Sequence, residues 1–263
     1  MSVSACMRNA VWLFVATLST SAVAFDGQPL YYEIDWGPMT LADVKVELLD
    51  SDDVSSVTAH IESRGAGAWF SNFRSTLEIL YARDGTKLLN GGSTWGDTLS
   101  SITVIWPASG SPPAVDLYRS KPRDYALTPV SEESTKNTVD PFTPVFEIGR
   151  MLEDTEKCVG SYRIFDGVRR YDLKIRDGGL HTLEINVPSN FIGSTRRCDI
   201  TVNRIGGFST KKSWFRMSES DINRTLYLGK IRGFWLPVKF EISAPLGKAV
   251  ARLIDKNHKH QLQ

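Results

Sequence analysis

Several signatures are missing from this chain, and their absence narrows its chemistry. It holds no Gly-x-Ser-x-Gly elbow, no His-Glu-x-x-His pair, no Walker loop and no intact Gly-x-Gly-x-x-Gly. The usual marks of a serine hydrolase, a zinc protease, a P-loop NTPase and a dinucleotide enzyme are therefore missing. An excess of one charge is missing too: 31 Lys and Arg stand against 30 Asp and Glu. That balance gives no electrostatic case for nucleic acid or an anionic membrane surface as partner. No apolar run reaches the ~20 residues a membrane-spanning helix needs. Cysteine is scarce, with three in 263 residues, and histidine numbers four. No internal repeat is visible, and no metal or cofactor is expected.

The first 24 residues set the context for the rest. Arg8 precedes an apolar run from Ala10 to Leu18, followed by Ser19-Thr20-Ser21 and the small-x-small ending Ala22-Val23-Ala24 before Phe25. That is the layout of a secretory signal peptide cleaved after Ala24. The run is too short for an anchor, and Cys6 lies before it rather than at the cleavage point, so no lipid attachment is expected. Cleavage leaves Cys158 and Cys198 as the only thiols, in a compartment where a disulfide persists. If they pair, the connectivity is unambiguous. The predicted location is the periplasm.

Beyond the signal, short alternating segments rich in Val, Ile, Tyr, Trp and Thr predict strands. They cover Leu30 to Trp36, Leu41 to Leu49, Val57 to Ile61, Arg74 to Tyr81, Ser101 to Trp106 and Val115 to Tyr118. The second half adds Tyr162 to Phe165, Arg170 to Ile175, Leu180 to Val187, Cys198 to Val202, Thr225 to Ile231, Trp235 to Ile242 and Lys248 to Ile254. Asp84-Gly85, Asp166-Gly167 and Asp177-Gly178-Gly179 read as hairpin turns. One helix is predicted from Asp140 as cap and Pro141 at the first position, with Phe142, Val145, Phe146 and Leu152 on one stripe. Glu153 and Asp154 oppose the helix dipole and mark its end. A second short helix is predicted around Ala68 to Phe73. Pro107 to Pro113 and Ser131 to Thr138 read as surface loops. The whole predicts a mainly β, single domain over residues 25–255, with a disordered tail at 256–263.

The segment Phe165-Asp166-Gly167-Val168-Arg169-Arg170-Tyr171-Asp172-Leu173 resembles the Phe-Asp-Gly-Arg-Arg-Arg-Tyr-Asp-Leu signature of a bacterial exported family, domain of unknown function 3108. In many members that signature also lies between two cysteines. Tyr32-Glu33 with Trp36-Gly37, Gly206-Gly207-Phe208, and Leu236-Pro237-Val238 with Leu246-Gly247 match further pieces. Val168 stands where the family has its middle arginine, so no three-arginine cluster is present. The resemblance implies a curved antiparallel sheet or half-open β-barrel closed by one α-helix, similar in outline to periplasmic lipoprotein carriers. It implies no established activity.

Such a cleft sheds water poorly unless something occupies it. The candidate groove residues are therefore aromatics beside glycines: Trp69, Phe70 and Phe73 after Gly67, and Phe234 and Trp235 after Gly233. Arg169 and Arg170 project to opposite sides of their strand, so one of them is expected on the ligand side. Trp36, Trp95, Trp106 and Trp214 read as core filling. His60 and His181 read as surface or edge residues, and His258-x-His260 as a tail without a fixed site. The leading functional expectation is a non-catalytic binding or carrier protein for a lipid, acyl chain, hydrophobic peptide or lipoprotein segment. The alternatives are an envelope-integrity protein that binds a protein partner through an exposed strand edge, and an envelope hydrolase using Asp166 and Asp172.

Overall fold

The computed structural model describes residues 28–50, 54–70, 72–184, 191–210, 222–245 and 247–254, with the Phe70 side chain left out. The predicted signal segment with its cleavage site, Trp214, residues 185–187 of one predicted strand, His258, His260 and the predicted tail lie outside the described residues. Strands dominate, as the two-residue alternation predicts. The first half of the chain supplies β1 (Leu30–Trp36), β2 (Met39–Asp50), β3 (Val54–Ser63), β4 (Phe73–Ala82), β5 (Lys87–Trp95), β6 (Thr98–Trp106) and β7 (Ala114–Arg119). The second supplies β8 (Gly160–Phe165), β9 (Arg170–Leu183), β10 (Gly193–Gly206), β11 (Asn223–Ile231), β12 (Phe234–Ala244) and β13 (Gly247–Ile254). Among the described residues three helices join them: α1 (Ala66–Phe70), α2 (Glu132–Thr135) and α3 (Thr143–Thr155).

The 13 strands among the described residues form one sheet in the order β7-β6-β5-β4-β3-β2-β1-β13-β12-β11-β10-β9-β8. Every named neighbour pair is antiparallel, and β1 lies in the middle between β2 and β13. The outer strands β7 and β8 do not pair with each other, so the barrel stays open.

Cross-strand register puts the core on the face that α3 covers. Leu48, Val57, Ile79, Leu89 and Val104 stand opposite one another along the ladder from β2 to β6. Phe142 and Phe146, at the start of α3, pack over this row. Further along, Ile148 and Leu152 pack against Cys158, Ile175, Cys198, Leu226 and Leu228 of the other half. One helix thus ties both halves together, and each fully buried aliphatic side chain in these clusters contributes about 1.5–3 kcal/mol. The predicted Cys158–Cys198 disulfide is present, with Cα atoms 5.8 Å apart, and joins the segment after α3 to β10.

Local structure departs from the sequence reading at several places: α2 and the buried Thr135 and Thr138 lie in the predicted surface loop Ser131 to Thr138, and α1 ends before Phe73, which opens β4. Helix α3 starts at Thr143, later than predicted, because Asp140 acts from outside it: its carboxylate accepts the backbone N–H groups of Phe142 (2.8 Å) and Thr143 (2.9 Å). Strand β5 was not predicted, since Gly91 and Gly92 weaken its strand signal. Gly91 is needed there: a Cβ would sit 2.8 Å from Ile102 Cγ2 and 2.9 Å from Leu77 Cδ1. Asp177-Gly178-Gly179 is not a hairpin turn. It is a bulge inside the continuous strand β9, where the register shifts opposite Arg196 and Cys198. Gly179, at φ +84°, absorbs the extra residue.

The segment between β7 and α3 returns along the β8 edge. Val139 donates its N–H to the Arg163 carbonyl (2.8 Å) and accepts from Phe165 N–H (3.1 Å). The Ile164 end of this free edge is thereby covered.

Candidate functional site

The site begins with how α3 is fixed. Asp140 is fully buried, and besides the two backbone donors its carboxylate accepts the hydroxyls of Tyr81 (3.0 Å) and Thr143. Lys87 lies 3.5 Å from the same carboxylate and donates to Thr143 Oγ1 at 2.9 Å. Burial, and then the Asp140 charge, push the Tyr81 hydroxyl far above its usual value, so it stays a donor. This network anchors the N-terminal end of α3 to β4 and β5.

Past that anchor the helix leans toward the second half of the sheet. Gly149 lets it approach β12 so closely that a Cβ there would be 2.9 Å from the Trp235 carbonyl oxygen. Between this contact and β2–β4 the helix leaves a cavity of about 530 Å³, within the range of small-molecule sites. Leu48, Val57, Tyr81, Phe146, Phe234 and Trp235 form its apolar lining. Asp50, Ser55, Lys87, Glu147, Arg150 and Glu153 supply its polar groups. Glu153 is paired with Lys230 at 2.8 Å. Arg150 is exposed and has no ion-pair partner among the described residues. The Trp235 indole N–H is buried without a hydrogen-bond partner, and Lys230 Nζ lies 5.7 Å from its ring centroid. Apolar walls beside a polar mouth suit an amphiphile better than a fully polar solute. Among the described residues no cluster of three or more potential metal ligands occurs.

The two predicted aromatic groups do not come together. Phe234 and Trp235 line the cavity, whereas Trp69 and Phe73 lie near the far end of β3 and β4. Trp69 projects from α1 at 91% exposure, and Phe73 packs against Trp95 with ring centroids 5.3 Å apart. Arg169 is exposed and holds Asp166 at 2.8 Å within the β8–β9 turn. Arg170 is buried, donating to the Ser134 carbonyl (2.8 Å) and to Asp172 (2.7 Å). Its guanidinium thus fastens the α2 segment to β9. Asp166 also accepts the backbone N–H groups of Val168 and Arg169. His60 contacts Thr76 and Glu47, and His181 packs on Tyr227.

Sequence reasoning missed Leu48, Val57, Tyr81, Phe146 and Arg150 as lining residues. The first three read only as alternating strand positions, and nothing local says which strands the helix will span. The pairing of Asp140 with Tyr81 across 59 residues has no sequence signal either.

No family model matches the chain, and no curated protein matches it by sequence. Among solved structures it is similar to a beta-barrel-like protein of domain of unknown function 1849 from Brucella abortus. The TM-score is 0.50 at 11% identity, over 86% of this chain and 95% of that one. The chain thus has a mainly β, open barrel-like fold. No helix among the described residues is long and apolar enough to cross a membrane.

Proposed function

We propose that this is an exported, non-catalytic binding or carrier protein that holds a hydrophobic chain of the cell envelope between α3 and the β2–β4 face. The cavity of about 530 Å³ beside α3 carries this reading. Its apolar lining takes an acyl chain, a lipid tail or the lipidated segment of a protein, and Arg150 at the mouth meets the polar head. The signal-like N-terminus, the disulfide and the motif resemblance to the exported 3108 family support the location in the envelope.

Native mass spectrometry of the protein purified from a periplasmic extract tests it. A discrete mass excess that vanishes on organic extraction, and that is lost in Trp235→Ala and in Phe146→Asp, is the expected result. A mass equal to bare residues 25–263 less two hydrogens overturns the carrier reading.

A further inference from the structure

The two edges of the sheet are treated differently. The β8 edge exchanges hydrogen bonds with Val139. Among the described residues the β7 edge pairs only inward, with β6, and all six of its residues are exposed. Val115, Leu117 and Tyr118 are 39%, 50% and 59% exposed, so this bare edge is also apolar. Open strands of this kind are usually blunted, because unpaired N–H and C=O groups template another chain.

A second cavity, of about 350 Å³, lies beside this edge. Its floor is Leu77, Gly91 and Ile102, and Val168 of the β8–β9 turn faces it from the other half of the molecule. It therefore lies on the inner face of β4–β7, beside the β8–β9 turn, which packs on Ile102 and Val104. Leu117, Arg119 and Arg123 complete it. Arg119 donates to Ser100 Oγ at 3.1 Å, and Arg123 has no ion-pair partner among the described residues.

We propose that the β7 edge and this cavity form a docking site for an extended polypeptide segment of alternating apolar residues that carries an acidic side chain at one end. Only an extended backbone satisfies a row of alternate donors and acceptors. Its inward side chains fill the cavity against Leu117, Ile102 and Val168. Its carboxylate meets Arg119 and Arg123, which lie at and beyond the C-terminal end of β7. Strands in this sheet run antiparallel, so the acidic residue belongs near the start of the incoming segment. The bound strand adds to the sheet beyond β7. This inference does not depend on what the cavity beside α3 holds.

Binding of a fluorescently tagged peptide, Asp-Thr-Val-Thr-Val-Thr, whose Asp and Val side chains share one face, is measured by anisotropy on the full protein, with hydrogen exchange to locate it. The expected result is saturable binding that protects residues 114–119. Methylating alternate peptide nitrogens abolishes it, and Arg123→Ala weakens it about fivefold, as for loss of a rim ion pair. Absence of binding at millimolar peptide, equal binding of the methylated peptide, or protection elsewhere overturns the proposal. So does protection of residues 114–119 that rises with protein concentration without peptide, because the occupant is then a second copy of this chain.

Discussion

The first seven strands and the last six curve over the same helix but are held by different means. From β2 to β6 the inner face is a grid of matched aliphatic residues with one buried ion pair, Lys87 with Asp140, where α3 begins, whereas Arg74–Glu62 and Lys121–Asp97 are both largely exposed. From β8 to β13 the inner clusters are joined by a disulfide and by polar anchors. Arg196 holds the Asp177 carboxylate with two hydrogen bonds of 2.6 and 2.8 Å beside the β9 bulge, and Arg170 clasps the α2 segment. The contrast follows from strand geometry. Strands β3–β6 pair without a register shift and keep it through side-chain alternation, while a bulged 14-residue strand needs fixed points to stop it slipping.

Breaking one half at a time sharpens this comparison. Replacing Cys158 and Cys198 together by serine should lower stability by up to about 4 kcal/mol in denaturant titration. Hydrogen exchange should then rise in β8–β11 before it rises in β2–β6; a simultaneous rise means the halves are one cooperative unit. Ile79→Ala removes a fully buried side chain from the grid and should cost about 3 kcal/mol, with the first loss of protection in β3–β5. Gly149→Ala pushes α3 away from β12 and should cost about 2 kcal/mol. It should also change any cargo occupancy seen by native mass spectrometry. A smaller effect separates the halves by pH. Burial acts to raise the Asp177 carboxyl, but the Arg196 guanidinium and the N–H groups of Cys158 and Gly179 outweigh it and hold the group below the usual carboxylate range. A lowered folded-state value means stability that is present above the unfolded pKa of about 4 and is lost as the pH falls through the folded value. Asp177→Asn should therefore flatten the acid limb of a melting-temperature profile. Least of all, Lys121→Ala should stay within about 0.5 kcal/mol of the parent protein in thermal melts, because its partner Asp97 is exposed.

Strand positions were legible because alternation survives wherever one face is buried: β1 falls on the predicted residues Leu30 to Trp36. Glycine misled the reading in both directions. Gly91 and Gly92 concealed β5, although close packing against Ile102 and Leu77 demands the first of them. Gly178 and Gly179 suggested a chain reversal where the strand only bulges. Of the cavity beside α3, only the Phe234-Trp235 pair was visible in the sequence. The rest comes from strands distant in sequence, and local pattern cannot say which of them α3 will span. The adjacent arginines drew attention by their resemblance to a signature, but Arg170 is spent on the Ser134 carbonyl.

The central position of β1, between β2 and β13, governs the order in which the molecule can be assembled. The β1–β7 meander can zip up hairpin by hairpin as the chain emerges, but the other flank of β1 waits for the last strand. Until β13 arrives, a nascent chain has an open seam through what becomes the middle of its sheet, and a ribosome or export pore would hold it so. Late seam closure of this kind raises contact order and slows the final step. A chain shortened by the last eight residues of the sheet, Gly247–Ile254, would be left as two separate sheets rather than a trimmed version of one.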